Sequence, residues 1–288
     1  MSLARAPLFC DAALAARIER AESALMARAA SAASRRSAGA GGFVMPLAGG
    51  VATFAGDGSP FNKVAGLGFE GMPDAAAVGE VERAFAERGA PVQVELSHLG
   101  DPAIALRLTE LGYRLASFEN VLGLALDAAP EVATPPGVQV RLSGDDELEA
   151  WLEVVADATV HADSQGVPSH ETFSPEVVKD ADRDFAAAGV IRYSALHEGV
   201  LAGGASFRIA DGIAQMTGAA TAPAHRRRGI QTALLAARLA DAAAAGCQVA
   251  VVTTQPGSKS QQNVQRRGFD LLYTRAILVK RRTASGGR

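Results

Sequence analysis

Two stretches of this chain match without a gap when Gly112 is laid on Gly268, and this repeat limits the fold more than any other feature. Leu111-Gly-Tyr-Arg-Leu-Ala-Ser-Phe-Glu-Asn-Val-Leu122 then falls on Arg267-Gly-Phe-Asp-Leu-Leu-Tyr-Thr-Arg-Ala-Ile-Leu278. Further upstream, Pro91-Val-Gln-Val-Glu-Leu96 meets Cys247-Gln-Val-Ala-Val-Val252, and the helical stretch Ala75–Arg88 meets Gln231–Ala244. Identity is low, but the apolar pattern persists over roughly 60 residues. The expectation is two copies of one α/β half, with residues 63–126 and 219–282 superposing.

A connector separates the copies. Asp127–Gly137 holds three prolines and a glycine in 11 residues, a composition that suits a linker better than a core. The expected domains are 1–127 and 138–282, joined by linker 128–137, with residues 283–288 as a frayed tail. Of the 288 residues, 48% are hydrophobic and 20% charged, enough to bury a core in each half. A net charge of -3 disfavours a nucleic-acid coat or a polybasic membrane anchor. No run of 18 apolar residues predicts a membrane span, and the N-terminus lacks the layout of a signal peptide. The two cysteines, Cys10 and Cys247, suit a reducing compartment and cannot build a four-ligand zinc site. The expectation is a cytoplasmic protein with no metal site and no nucleic-acid or membrane partner.

Periodicity orders the second half as β-α-α-β-β-β-α-β-α-β. Strands are predicted at 138–142, 191–197, 201–209, 213–221, 249–253 and 269–280, and helices at 145–161, 175–188, 229–245 and 259–267. Glu198-Gly199 and Asp211-Gly212 are hairpin pairs. This is an α/β layer architecture.

Chemistry concentrates in Pro223-Ala-His-Arg226-Arg227-Arg228-Gly229-Ile230-Gln231-Thr232, where a strand passes into a long helix. The first helical turn has free N–H groups and a partial positive charge, glycine lets a ligand approach the backbone, and arginines add anion recognition. The segment therefore predicts a pyrophosphate cradle. It contains neither GxxxxGK[ST] nor GxGxxG, which excludes the Walker and dinucleotide loops.

Arg226-x-x-Gly229-x-Gln231 closely resembles the R/Q-x-x-G-x-G/A acetyl-CoA motif of the GNAT (GCN5-related) N-acetyltransferase superfamily. Pro223, Ala233-Leu234-Leu235, Asn263 and Gly268-Phe269 fit the same pattern. The resemblance follows the element order over 138–282. It implies two GNAT-like acyl-CoA N-acyltransferase domains, each a mixed, mostly antiparallel sheet flanked by helices. It implies acetyl-CoA lying in a splay between strands 213–221 and 249–253. Backbone groups of Ala219, Ala220 and Thr221 would pair with pantetheine. The amides of Arg227, Arg228, Gly229, Ile230, Gln231 and Thr232, behind Arg226, would hold the pyrophosphate, and Asn263 would contact the cofactor arm. Gln231 departs from the family's small residue.

At the matching place the first half reads Glu70-Gly-Met-Pro73-Asp74. Residues 66–77 carry two acids and no base, whereas 222–233 carry three arginines and no acid. A carboxylate repels a pyrophosphate and Pro73 lacks a donor, so this copy is expected to be degenerate and the chain to bind one acetyl-CoA. Acid–base groups are scarce. Strand 213–221 offers Gln215 and Thr217, and Val264 stands where the family often has tyrosine. Tyr273 remains as catalytic candidate, on the side of its strand that Phe269 shares. His161, Asp163 and Glu171 are the candidates for a small-molecule amine. The expected function is acetyl transfer to a primary amine; a non-catalytic acyl-CoA-binding or regulatory protein is the alternative.

Overall fold

The elements run α1 (Ala12–Arg36), β1 (Phe43–Leu47), β2 (Gly50–Phe54), β3 (Lys63–Leu67), α2 (Ala75–Glu87), β4 (Val92–Ser97), α3 (Pro102–Glu110) and β5 (Arg114–Ala125). They continue with β6 (Val138–Leu142), α4 (Leu148–Val160), α5 (Pro175–Ala187), β7 (Ile191–His197), β8 (Val200–Ala210), β9 (Ile213–Thr221), α6 (Ile230–Ala244), β10 (Val249–Thr254), α7 (Lys259–Gln265) and β11 (Asp270–Lys280). The structure is a computed structural model and describes residues 6–39, 41–126, 134–161, 167 and 169–281. The expected tail 283–288, most of the expected linker and Asp163 lie outside the described residues.

The order β3-α2-β4-α3-β5 recurs as β9-α6-β10-α7-β11, and the matching elements from α2 to β5 begin 155 to 157 residues before their counterparts. In each copy a helix links two parallel strands: β3 with β4, and β9 with β10. Both positions of each expected hairpin pair have positive φ, as a tight hairpin with right-twisted strands requires. The sequence pattern said nothing of α1. Its Asp11 side chain caps the helix by accepting from the Leu14 N–H at 2.8 Å, and an alanine-rich face is buried.

Contacts divide the chain into two compact units. Among the described residues, those within 10–120, 169–171 and 273–288 form a first-half unit, and those within 1–9, 121–168 and 172–272 a second-half unit. These differ from the expected 1–127 and 138–282. The end of β5 counts with the second-half unit, and β11 from Tyr273 onward with the first. The reason is hydrogen bonding across sequence distance. β11 pairs antiparallel with β4, from Arg275↔Ser97 to Lys280↔Val92. The chain just after β5 bonds beside β10, through Leu126 N–H to the Gln248 carbonyl at 2.9 Å.

In the first-half unit the strands run β1-β2-β3-β4-β11, then the start of β5. Val64, Val92, Val94 and Leu96 pack beneath Val78, Val81 and Phe85 of α2 and Ile104 and Leu108 of α3. In the second-half unit the end of β5 is followed by β10-β9-β8-β7-β6. Leu234, Leu235 and Leu239 of α6 share a core with Ala205, Phe207 and Ala250. Trp151 of α4 packs against Gly204, where an added Cβ would stand 2.3 Å from its Nε1. That nitrogen donates to the Tyr193 carbonyl at 2.9 Å. Burying such a side chain stabilises the unit by about 3 kcal/mol, which fixes α4 against the sheet.

Candidate functional site

The site of the second-half unit starts at a break in strand pairing. β9 and β10 are in register only from Ile213↔Val249 to Met216↔Val252. On its other side β9 stays paired with β8 to Thr221, with a register shift between Ser206 and Phe207 that leaves Thr217 as an extra residue. Residues 217–221 thus offer one edge to β8 and leave the other unzipped from β10. A bulge turns a strand at such places and is common beside active sites. A guanidinium supports the bulge from behind: Arg238 of α6 donates from Nη1 to the carbonyls of Ser206 at 2.9 Å and Gly218 at 3.1 Å, and from Nε to Leu234 at 3.1 Å. Burial lowers its pKa to about 10.

Where the splay opens, the chain turns into α6. A 3-10 turn at Pro223–His225 is followed by Arg226 in extended conformation, Arg227 at φ 61° and Gly229 at φ 77°. A non-glycine residue with positive φ costs about 1 kcal/mol and persists only where its surroundings enforce it. Among the described residues, the Ala233 N–H is the first of the helix to reach a backbone acceptor, the Gly229 carbonyl at 3.0 Å. The N–H groups of Arg227 to Thr232 have no backbone acceptor there, and α6 has no side-chain cap. This is a set of convergent donors at the positive end of a helix, shaped to receive an anion. Arg227 and Arg228 are exposed beside it without an acidic partner among the described residues. Gly229 is irreplaceable on two counts: its φ, and Pro135 Cγ, which would lie 2.5 Å from an added Cβ.

Arg226 plays a different part from its neighbours. Its Nη2 donates to the carbonyl of His161 at 2.5 Å and reaches that of Ala158 at 3.4 Å, both at the C-terminal end of α4. It is a tether for the loop. Gln231 donates to the Ala219 carbonyl at 3.3 Å, so the departure from a small residue stitches the helix start to β9. Ala219 is exposed, while Ala220 and Thr221 are buried. Asn263 is half-buried on α7. Sequence reasoning missed Arg267, which donates to Thr232 Oγ1 at 2.7 Å and adds a cation at the first turn of α6. Its signal was the Arg266-Arg267 pair before Gly268. It also missed the polar ends of the splayed strands. The buried atoms Thr221 Oγ1, Thr254 Oγ1 and Gln255 Oε1 lack a hydrogen-bond partner, and buried polar atoms are ordinarily satisfied. Together with the open edge of β9, they fit an extended ligand bearing amide and hydroxyl groups.

The remaining candidates do not gather here. Tyr273 belongs to the first-half unit, is 1% exposed, and donates to Glu19 Oε1 at 2.7 Å. Burial and the neighbouring Glu19 carboxylate raise its pKa well above that of a free phenol. The expected alternation along β11 is real, but the strand's hydrogen-bond partners carry the ring into the other unit. Glu171 also belongs to the first-half unit, where Gln93 Nε2 lies 3.5 Å from its Oε2. His161 caps α4, exposed and 3.2 Å from Asp157 Oδ1. Gln215 accepts from Arg208 at 3.1 Å, and Val264 is core.

The first-half counterpart is closed. β3 is paired with β4 through its last residue, Leu67↔Leu96, and leaves no open edge. Glu70 folds over Gly49, and Pro73 and Asp74 precede α2.

Residues 151–269 match the sequence model of the Acetyltransferase (GNAT) family. No curated protein matches the chain. Among solved structures it resembles a GCN5-related N-acetyltransferase from Kribbella flavida, at 22% identity and a TM-score of 0.59, with 90% of this chain and 96% of that one covered. It also resembles a tandem GNAT protein from the clavulanic acid biosynthesis pathway, at 15% identity and a TM-score of 0.58, with 82% and 80% covered. Both likenesses establish the fold: two GNAT-like halves, each a mixed sheet flanked by helices.

Proposed function

From a chain that carries a GNAT acetyltransferase domain at residues 151–269, we propose an acetyl-CoA-dependent N-acetyltransferase acting on the primary amine of a small molecule. The observation that carries this reading is the set of N–H donors at Arg227–Thr232 that have no backbone acceptor among the described residues, held by two residues with positive φ at the mouth of the β9/β10 splay.

Acetyl-CoA supplies an activated acyl group on sulfur. The loop amides hold its pyrophosphate, with Arg227, Arg228 and Arg267 adding charge that salt screens. Ala219 to Thr221 offer the free edge of β9 to the pantetheine amides, while Thr254 at the end of β10 and Gln255 just after it carry polar atoms without a partner. Asn263 contributes from α7. Arg226 and Arg238 position the loop and the bulge. With acetyl-CoA bound, a neutral amine would attack the thioester carbon, the C–N bond forming as C–S breaks; CoA would leave as its thiolate, and the proton shed by the amine would pass through water to that sulfur. Orientation supplies much of the acceleration.

A specific observation favours a second reading, a non-catalytic acyl-CoA-binding protein: among the described residues, Tyr273 is bonded to Glu19, Gln215 to Arg208 and Val264 is buried, so none of these three serves the splay as acid or base. One experiment separates the two. Calorimetry with acetyl-CoA is followed by thiol release over a broad panel of amines. Binding with turnover supports the transferase, binding without turnover the second reading, and no binding defeats both.

A further inference from the structure

The open edge of β9 is not bare. Just past the strand, the Ala222 N–H donates to the Ala202 carbonyl of β8 at 2.9 Å. Thr221 lies opposite Gly203, Ala220 opposite Gly204 and Ala219 opposite Ala205. In an antiparallel ladder every second residue exchanges hydrogen bonds with its partner. Ala220 therefore bonds toward β8 as Ala222 does, and Ala219 and Thr221 direct their N–H and C=O groups to the side where β10 has parted. Both of these carbonyls already have a donor. Gln231 Nε2 donates to that of Ala219 at 3.3 Å, and Arg226 Nε to that of Thr221 at 3.4 Å. Two side chains from the loop and the first turn of α6 thus cover the acceptors of the strand edge.

The two covers differ in how firmly they are held. Arg226 is half-buried, and its Nη2 is fastened to the carbonyl of His161. Gln231 is exposed, and among the described residues its side-chain amide makes this one bond. A hydrogen bond at an exposed place gains little over one to water, so the Gln231 amide is the cover that a ligand can displace. A glycine or alanine at position 231 would bring no donor and would leave the Ala219 carbonyl open.

We propose that Gln231 is a displaceable cap that competes with the cofactor for the Ala219 carbonyl, and so sets how tightly the pantetheine arm is held. The inference rests on the acetyl-CoA reading above. Pantetheine carries amide N–H groups, which need acceptors once water is shut out. A tethered guanidinium holds the Thr221 carbonyl, so that of Ala219 is the acceptor left on this stretch of edge, and it is reached when Gln231 swings out. The backbone N–H of Gln231 belongs to the phosphate loop and does not depend on the side chain, so cap and cradle are separable. Until a ligand arrives, the cap covers a strand edge that would otherwise be a template for another chain.

The test is calorimetry of the full chain with CoA and with 3′-phospho-ADP, the nucleotide half of CoA without pantetheine. Gln231→Met keeps the length of the side chain and removes its donor. It should bind CoA about threefold to tenfold more tightly than the wild type, the worth of one net hydrogen bond. The two proteins should bind 3′-phospho-ADP alike. Gln231→Ala should show the same selective gain. An unchanged or weaker CoA affinity in Gln231→Met overturns the proposal and leaves the acetyl-CoA reading standing. An equal gain for both ligands also overturns it, because the side chain would then crowd the pyrophosphate and not the strand edge. If the wild type and both variants bind neither ligand, the cofactor reading falls and the proposal falls with it.

Discussion

Arg226 donates to the carbonyl of His161 at 2.5 Å and so fastens the loop before α6 to the end of α4. The carbonyls of a helix's last turn have no partner within the helix and carry its negative end, so a guanidinium there is doubly favoured. Arg226→Ala should cost about 1.5–3 kcal/mol of stability, the range of a charge-assisted hydrogen bond. It should also weaken CoA by loosening the loop. Arg226→Lys should rescue little, since one ammonium does not reproduce the fork. Denaturant unfolding together with CoA titration checks this; a wild-type midpoint for Arg226→Ala would show that the tether contributes nothing.

The loop should act mainly through its backbone. Gly229→Ala places a Cβ against Pro135 at a positive φ and misaims the donors. CoA affinity should drop roughly tenfold to a hundredfold. Arg227→Ala removes only an exposed charge, with a smaller effect that fades as salt rises. Arg227→Gly should in addition stabilise the fold by about 0.5–1 kcal/mol, because it relaxes the left-handed backbone. Titration at two salt concentrations reads the affinities, and denaturant unfolding reads the stability of Arg227→Gly. Abolished binding in Arg227→Ala with wild-type affinity in Gly229→Ala would refute the backbone argument.

Arg238 should matter more for β9 than any exposed arginine. Arg238→Met fills the space but removes the guanidinium donor from the carbonyls of Ser206 and Gly218, at an expected loss of about 3 kcal/mol. A urea midpoint close to that of the wild type would mean the bulge needs no support.

Glu119 should make stability fall as pH rises. Its folded-state pKa is raised from the ordinary carboxylate range to about 7, so the folded state binds the proton more tightly than the unfolded state does. The contribution is complete below the unfolded pKa and is lost as pH climbs through about 7. Glu119→Gln should flatten the stability curve between pH 5 and 8 and be more stable than the wild type at pH 8, by about 1 kcal/mol for a side chain in partial contact with water. Parallel curves for the two proteins would contradict this.

Local pattern carried much of this protein. The alternation of 138–142, the hairpin pairs at 198–199 and 211–212, and the helix opening after Gly229 are written in neighbouring residues, because the steric and hydrogen-bonding preferences behind them act within a few positions. The unlike charges of 66–77 and 222–233 were equally legible. Which strand lies beside which was not. A β-strand's backbone pairs with any free edge of matching register, so Tyr273 could be given a side of its strand but not a neighbour. Only the tertiary pairing of β11 with β4 placed it against Glu19 and gathered Glu95, Glu119 and Arg275 around one buried face. Nor does local pattern say that Gln93 and Glu95 are buried; only the folded unit sets His170 against Gln93, and Lys63 and Arg275 against Glu95. The splay of β9 from β10 was legible only through family resemblance, because the point where two strands part depends on what each bonds on its other side.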